Sequence, residues 1–284
     1  MITSSSNKSI REVIQLIQKA KVRNKLGLFV VEGVKMFLEA PTEQIARVYI
    51  AQRAEKEIRE NHGSKLDKLS CEIVADDVFD RMSDTRTPQG ILTLVRQYQY
   101  SLEELLTRKQ GSRCVDRNTG KSVSMIGGVH KKNPLYLLLE DIQDPGNLGT
   151  MFRTAEAVGA DGILMSGHTV DVYNPKTIRS TMGSIYRVPF IYTEDICGTI
   201  RILQRHAICV YAADLGGRKE YDACDYRGGT AFLIGNEGNG LRQETAACAE
   251  VRIGIPMEGN VESLNAAVAS TVLFYEAYRQ RRRG

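Results

Sequence analysis

Residues Ile255–Tyr278, IPMEGNVESLNAAVASTVLFYEAY, contain the end of a strand, a glycine-containing turn and a long helical pattern. The strand-like run Val251–Met257 leads into the turn, and Ser263 is predicted to open a helix rich in small residues. The Ser-Leu-Asn sequence puts backbone donors, a hydroxyl and an amide at one helix N-terminus, which favours a polar ligand. We therefore expect this strand–turn–helix junction to form part of a binding site.

The C-terminal half repeats the same alternation of strand and helix. Continuous apolar strands separated by helices predict an α/β domain whose parallel sheet is covered on both faces. Ligands of such sheets bind beyond the carboxyl ends of the strands. The predicted strands are Leu135–Leu139, Gly162–Met165, Pro189–Tyr192, Ile208–Ala212 and Ala231–Ile234.

The N-terminal part predicts a separate, smaller α/β domain. Apolar residues recur with a helical period in Ser9–Ala20, and β-rich runs follow it. A domain of about a hundred residues is a common size. We expect an N-terminal domain over 1–107, a linker or exposed loop over 108–134 and a second domain over 135–284. The predicted N-terminal strands are Leu28–Val31, Val48–Ala51, Glu72–Ala75 and Gly90–Val95.

The charge of the chain is uneven. Residues 1–134 carry 23 Lys and Arg against 16 Asp and Glu, whereas residues 135–284 carry 15 against 18. Segment 108–134 supplies most of the basic excess and has few large apolar residues. A basic first half favours an anionic polymer as its partner. A solvated basic linker without a ligand is the alternative for segment 108–134.

Composition argues against several classes of protein. The sequence has no apolar run of about 18 residues, so no membrane span is expected. The first residues, MITSSSNKSIREV, lack the apolar segment of a secretory signal, which favours a cytoplasmic protein. The six cysteines are scattered, without CxxC or zinc spacing, so free thiols and no metal site are expected.

Two further strand–turn–helix junctions precede the opening stretch. They are Asp144–Ala155, DPGNLGTMFRTA, in which Asn147 is predicted to cap a helix running to Val158, and Leu233–Leu241, LIGNEGNGL. The glycine spacing of the second junction differs from the dinucleotide fingerprint, and no Walker A lysine is present. A nucleotide-like ligand held by main chain fits this pattern, although one such junction alone most often serves only a tight turn.

Arg153 and Glu237 are the charged residues of interest at these junctions. Arg153 lies on the predicted helix face that also carries Gly149 and, less closely, Asn147. A surface salt bridge to Glu156 is the structural alternative for Arg153, and it would stabilise the fold little. A helix-capping carboxylate is the alternative for Glu237.

Together the stretches NLGTMFRTAEAVGADGILM, LIGNEGNGL and IPMEGNVESLNAAVASTVLFYEA resemble the three motifs of the SpoU (TrmH-like) branch of the SPOUT RNA methyltransferases. This resemblance covers about 135–280. The early segment KVRNKLGLFVVEGVKMFLEA resembles the ribosomal-protein-like RNA-binding domain that often precedes that fold, over about 8–98. The resemblance implies a deep trefoil knot in the C-terminal domain, which is a rare exception to unknotted topology.

The resemblance also implies an activity. Members of this family transfer a methyl group from S-adenosylmethionine (S-adenosyl-L-methionine) to a ribose 2′-hydroxyl of RNA, and they work as homodimers. The N-terminal resemblance favours 23S rRNA as the substrate, with tRNA as the alternative. By position, Gly235, Ile255 and Leu264 would contact the cofactor.

Catalytic and RNA-binding residues follow from the same resemblance. Arg153 matches the family's catalytic arginine, acting across subunits, and Asn147 matches its companion asparagine. The sequence leaves open whether Arg153 acts as a base or as a charged stabiliser of phosphate and alkoxide. The polar residues that match positions supporting the site are Glu237, Ser263 and Asn265, and the expected RNA-binding residues are Arg23 and Lys25.

Two other classes of function compete with this interpretation. A non-catalytic RNA-binding or ribosome-assembly factor on the same fold would be expected to lose site residues, and none is missing here. Another nucleotide-binding α/β enzyme, such as a dehydrogenase, would be expected to carry the dinucleotide fingerprint, which is absent.

Overall fold

The computed structural model describes residues 1–107 and 133–283. The expected basic linker 108–134 lies outside these residues except for its last two positions. The helices are α1 Lys8–Gln18, α2 Ala20–Leu26, α3 Val34–Glu39, α4 Glu55–Leu66, α5 Asp76–Met82, α6 Leu102–Thr107, α7 Pro145–Val158, α8 Pro175–Thr181, α9 Ile196–Arg205, α10 Gln243–Cys248 and α11 Ala266–Arg283. The strands are β1 Leu28–Glu32, β2 Ile45–Ala51, β3 Cys71–Val74, β4 Ile91–Arg96, β5 Leu135–Leu139, β6 Gly162–Ser166, β7 Phe190–Thr193, β8 Ile208–Ala213, β9 Lys219–Glu220, β10 Gly229–Ile234 and β11 Val251–Gly254.

The chain divides into two compact units. The first contains Met1–Gln99 together with Asp171–Arg187, and the second contains Tyr100–Val170 together with Val188–Gly284. This division differs from the expected domain ranges, because residues 171–187 group with the N-terminal unit.

The first unit is built on a mixed four-stranded sheet in the order β1-β4-β2-β3. Strand β4 is antiparallel to β1 and β2, and β3 is parallel to β2. The apolar stripe of α1, Ile10, Val13 and Leu16, packs on this sheet in one buried cluster. Of the apolar residues at helical spacing in the sequence, Ile10 and Val13 are therefore buried, whereas Ile14 and Ile17 are only partly buried against the cluster.

Helix α2 was not expected from the sequence, because KVRNKL has little apolar periodicity. A buried guanidinium explains it. Arg23 donates through Nη1 to the carbonyl oxygens of Leu16 and Ile17 at the end of α1, at 2.7 and 3.0 Å. Its Nε also donates to Asp171 Oδ2 at 2.9 Å. These contacts join the two helices and connect residues 171–187 to the first unit.

Segment 171–187 makes further contacts within the first unit. The Tyr173 hydroxyl accepts a hydrogen bond from the Tyr98 backbone N–H at 2.7 Å, and the Tyr173 ring lies 4.6 Å from that of Phe29. Ion pairs join Arg179 to Asp84 at 2.7 Å and Arg187 to Glu39 at 2.9 Å.

The second unit contains a parallel sheet in the order β7-β6-β5-β10-β8-β11-β9, as the apolar strands predicted. Adjacent residues of β10 point to opposite faces. Leu233 belongs to the buried cluster that includes residues of α9, whereas the Phe232 ring lies 6.0 Å from that of Phe274 on α11. The two-residue edge strand β9 was too short to predict from alternation.

Replacing Arg23 by Met is expected to lower the free energy of unfolding of the first unit by about 3 kcal/mol, because it leaves Asp171 without its buried partner. The side chains of Arg23 and Asp171 are only 4% and 24% exposed. Urea unfolding measures the change. Lys56→Met is the matched control, since Lys56 is 89% exposed and lies 4.0 Å from Glu60. Equal losses in the two variants would contradict the structural role of Arg23.

Candidate active site

Three loops meet at one edge of the second sheet. They follow β5, β10 and β11, and they contain the three junctions identified in the sequence. Strand β10 pairs with β5 on one side and with β8 on the other, and β11 lies beyond β8. Because all these strands are parallel, their carboxyl ends lie at the same edge.

The carboxylate of Glu237 connects the first two loops. Its oxygens accept hydrogen bonds from the backbone N–H groups of Gln143 and Asp144 and from Asn147 Nδ2, each at 3.0 Å. Burial raises the pKa of Glu237, but these donors outweigh that effect and hold the pKa below its ordinary value. Glu237 is therefore an ionised acceptor that positions its neighbours.

Asn147 connects Glu237 to the third loop. Its Nδ2 donates to Glu237 Oε1, and its Oδ1 accepts from Asn265 Nδ2 at 3.0 Å. Asn265 Oδ1 in turn accepts from the backbone N–H of Ala267 at 2.9 Å. Since an ionised carboxylate only accepts, the orientation of both amide side chains is determined from Glu237 to the start of α11. We call Glu237, Asn147 and Asn265 the amide relay.

Two predicted helix starts were wrong. Asp144, not Asn147, caps α7, because its Oδ1 accepts the backbone N–H of Asn147 at 2.8 Å and Pro145 begins the helix. This leaves the Asn147 side chain available to Glu237. Helix α11 begins at Ala266 behind Asn265, so Ser263 does not open it. Ser263 is exposed and makes no hydrogen bond within the described ranges.

A cleft of about 710 Å³ lies beside the amide relay. Gly235, Ile255 and Leu264 line it, as do Ser263 and Glu237. Its volume falls within the usual range for small-molecule sites. A Cβ atom on Gly235 would lie 2.3 Å from the backbone N of Leu241, so this wall has no room for a side chain and presents main chain to the cleft.

The sequence analysis missed the loop after β8, which forms another wall of the cleft. Asp214, Leu215 and Gly217 all line the cleft. A Cβ atom on Gly217 would lie 2.3 Å from the carbonyl carbon of Ile253, which explains the glycine. The signal was present, because DLGG directly follows a strand-like run and repeats the pattern of the other junctions.

Glu140 is a second residue that the sequence analysis missed. It is 1% exposed and accepts hydrogen bonds from Arg242 Nε at 2.7 Å, from the Arg242 backbone N–H at 2.8 Å and from Thr245 Oγ1 at 2.5 Å. The bond to Glu140 raises the pKa of Arg242. Glu140 thus anchors the end of the 235–241 loop. An acid directly after the apolar run Leu135–Leu139 was its signal in the sequence.

Arg153 does not reach the cleft of its own chain. It is exposed on α7, does not line the cleft, and makes no hydrogen bond or ion pair within residues 1–107 and 133–283. The structure therefore brings Asn147, Glu237 and Asn265 together and leaves Arg153 exposed, with no partner for its guanidinium among the residues that the structure describes.

The two expected RNA-binding residues differ in accessibility. Arg23 is 3% exposed, and its guanidinium binds Asp171 and two carbonyl oxygens. This placement argues against the predicted RNA contact of Arg23 and gives it a structural role in the first unit. Lys25 is exposed and stays a predicted RNA-binding residue.

The described residues contain no group of three His, Cys, Asp or Glu side chains placed to hold a metal ion. Cys71, Cys197, Cys209, Cys224 and Cys248 are free thiols, and Cys114 lies outside the described residues. Among the helices of residues 1–107 and 133–283, none is both long and apolar enough to span a membrane.

The fold and the position of the cleft are typical of α/β proteins that bind small ligands beyond the carboxyl ends of a parallel sheet. Residues 134–275 match the SpoU rRNA Methylase family, and residues 7–93 match the MRM3-like substrate binding domain. The first match spans half of the chain, so this protein belongs to the SpoU rRNA methylase family. The resemblance identified from the three motifs is confirmed.

Similar proteins extend along nearly the whole chain. The sequence is 28% identical over 274 residues to the Bacillus subtilis (strain 168) 23S rRNA (guanosine(2553)-2′-O)-methyltransferase, covering 96% of this chain and 97% of that protein. The structure of the SpoU methyltransferase AviRb from Streptomyces viridochromogenes in complex with the cofactor AdoMet is 26% identical, with a TM-score of 0.80 and coverage of 98% and 100%. An AdoMet-bound rRNA methyltransferase from Sinorhizobium meliloti is 27% identical, with a TM-score of 0.77 and coverage of 98% and 97%.

Replacing Glu237 by Gln should destabilise the protein at neutral pH, because the amide would direct a donor toward groups that themselves donate. The folded pKa of Glu237 lies below its ordinary value of 4.5. Glu237 therefore stabilises the fold above that value, and this contribution is lost as the pH falls through the folded pKa.

The measurement is the difference in free energy of unfolding between the wild type and Glu237→Gln across a pH series. We expect a constant difference at about pH 6 to 8 that shrinks toward acid pH. Glu262→Gln, an exposed glutamate at the cleft, is the control and should change stability little. A difference that persists unchanged down to about pH 3 would rule out the depressed pKa.

Proposed function

We propose that this protein transfers the methyl group of S-adenosylmethionine to a ribose 2′-hydroxyl of RNA, with 23S rRNA as the substrate. The observation that carries the proposal is the amide relay, which joins residues of all three junctions beside one cleft. The Bacillus subtilis relative, named as a 23S rRNA 2′-O-methyltransferase and matched over almost its whole length, supports the reaction and the substrate class.

The cleft suits this cofactor. Gly235 presents main chain at close approach, and Ile255 and Leu264 offer apolar contact for an adenosyl group. Asp214 and Glu220 also line the cleft, and carboxylates suit a cationic ligand. S-adenosylmethionine supplies a methyl group on a positively charged sulfonium. The chain's own residues then contribute chiefly by holding the reacting groups in line, which supplies much of the rate in such displacements.

Arg153 is the proposed catalytic residue, with its guanidinium charged. An arginine side chain keeps its proton in proteins, so it serves better as a donor than as a base. The exposed guanidinium is free to bind the phosphate next to the target ribose and to stabilise the developing alkoxide. Asn147, six residues earlier on α7, lies within the amide relay, which anchors the helix at its N-terminal end.

A homodimer completes this proposal, since Arg153 lies outside the cleft of its own chain. An apolar surface on α11 supports the homodimer, because Val268 and Tyr275 on it are 48% and 49% exposed. They are seven residues apart and share one face of the helix. Helix α11 packs on α7, and Thr154 and Thr271 share a hydrogen bond of 3.0 Å. We propose that a second copy covers this surface and receives Arg153 at its own cleft.

The proposal also includes a trefoil knot in the second unit, an RNA-binding role for the N-terminal domain and a cytoplasmic location. Residues 255–265 contribute to the cleft beside the 235–241 loop and reach Asn147 before α11 packs on α7, as a threaded chain would. Residues 7–93, which match a substrate-binding domain, are the proposed RNA-binding part, with Lys25 exposed on it. Modification of rRNA would take place in the cytoplasm.

The central experiment maps 2′-O-methylation across total RNA from cells with and without this protein. Loss of one methylated position in 23S rRNA, restored by the purified enzyme with S-adenosylmethionine, is the expected result. A lost position in tRNA would move the substrate to that class. Unchanged methylation throughout would favour the non-catalytic RNA-binding function.

Arg153→Ala is expected to lower kcat by about a hundredfold or more, because it removes donors to the developing alkoxide. Affinity for S-adenosylmethionine should stay unchanged, since Arg153 does not line the cleft of its own chain. Arg153→Lys keeps the charge and should retain part of the activity. Arg201→Ala, which removes an exposed arginine from α9, is the matched control. Near-normal turnover in both Arg153 variants would refute the assignment.

Mixed dimers test whether Arg153 acts across subunits. Gly235→Val should disrupt the cofactor wall of the cleft, because a side chain there meets the Leu241 backbone and displaces the 235–241 loop. If Arg153 acts on the second copy, a dimer of one Arg153→Ala and one Gly235→Val subunit has one complete site, and equal mixing should restore about a quarter of wild-type activity. Action within one chain would leave the mixture as inactive as either variant alone.

A further inference from the structure

The end of β8 places an acid beside the glycine wall of the cleft. Strands β10 and β8 pair in parallel with Leu233 opposite Ala212, so two residues later Gly235 and Asp214 lie opposite each other. On the other side of β8, the Asp214 backbone N–H donates to the Ile253 carbonyl oxygen at 3.0 Å. Asp214 thus follows its strand directly and lines the cleft between two other strand ends.

The Asp214 carboxylate is held in place and can still accept further hydrogen bonds. Its Oδ1 accepts the Gly216 backbone N–H at 3.2 Å, and its Oδ2 lies 3.6 Å from Arg252 Nη1. A turn closes behind it, with the Gly217 N–H donating to the Asp214 carbonyl oxygen at 2.9 Å. A carboxylate has about four lone-pair sites. The side chain is 30% exposed, so the remaining sites are accessible from the cleft.

We propose that Asp214 binds the two ribose hydroxyls of the adenosyl cofactor, an inference that rests on the proposed function. In dinucleotide-binding folds, an acid that follows the first glycine-rich βα unit accepts a hydrogen bond from the ribose 2′-hydroxyl of the nucleoside. Here the glycines follow β10 and the acid directly follows the neighbouring strand β8, although the G-x-G-x-x-G fingerprint is absent. The two carboxylate oxygens of Asp214 match two adjacent hydroxyl donors. The main chain of Gly235 lies next to Asp214 on the neighbouring strand.

Calorimetry with S-adenosylhomocysteine and its 2′-deoxy and 3′-deoxy ribose analogues tests this role. The wild type should bind each deoxy analogue at least about tenfold more weakly, as expected when a charged acceptor loses its donor. If the wild type binds the deoxy analogues and S-adenosylhomocysteine with nearly equal dissociation constants, the inference is overturned, whatever the behaviour of any variant. Failure of the wild type to bind either S-adenosylmethionine or S-adenosylhomocysteine would instead overturn the proposed function, and the inference with it.

Asp214→Asn is the decisive variant, because it keeps the side-chain size and the oxygen that accepts the Gly216 N–H. It should bind S-adenosylhomocysteine about tenfold more weakly and no longer distinguish it from the deoxy analogues. Arg252→Gln is the control, since it removes the ion pair but keeps the carboxylate, and it should retain the wild-type ratio. Retained discrimination in Asp214→Asn would overturn the inference, because a general loosening of the cleft would weaken all three ligands alike.

Discussion

The arrangement of the loops at the carboxyl ends of the second sheet depends on one ionised carboxylate. Glu237 is partly removed from water, and three N–H donors from a segment at least ninety residues away in sequence offset that desolvation. Because an ionised carboxylate only accepts hydrogen bonds, Asn147 must direct its amide nitrogen toward Glu237. Its amide oxygen then faces Asn265, which must direct its own amide nitrogen toward Asn147. A single charge thereby determines which atoms of two loops face each other and where α11 begins.

The sequence predicted the parallel sheet well because buried strands must be apolar on both faces. Leu135–Leu139 has no charged residue, and its predicted bounds are those of β5. The motifs at the strand ends were also recognisable. The helix starts at Asn147 and Ser263 were wrong for a different reason. Several residues near each start could act as the cap, and only contacts with distant residues decide which side chain is left for another partner.

Asp214 and Arg23 show what a linear pattern does not reveal. The importance of Asp214 depends on the register between β8 and β10, since a shift of one residue would turn its side chain away from the cleft. Arg23 lies in the basic stretch KVRNK, which is typical of an exposed surface. Its burial is possible only because two carbonyl oxygens of α1 and the carboxylate of Asp171 satisfy its guanidinium.

The grouping of residues 171–187 with the N-terminal unit has a consequence for synthesis on the ribosome. The first unit is discontinuous in sequence, so its chain is not complete until Arg187 has emerged. By then β5, α7 and β6 of the second unit have already been made. Until Asp171 has been made, Arg23 lacks its carboxylate partner, and the N-terminal unit is completed only after α8 and the residues up to Arg187 have followed.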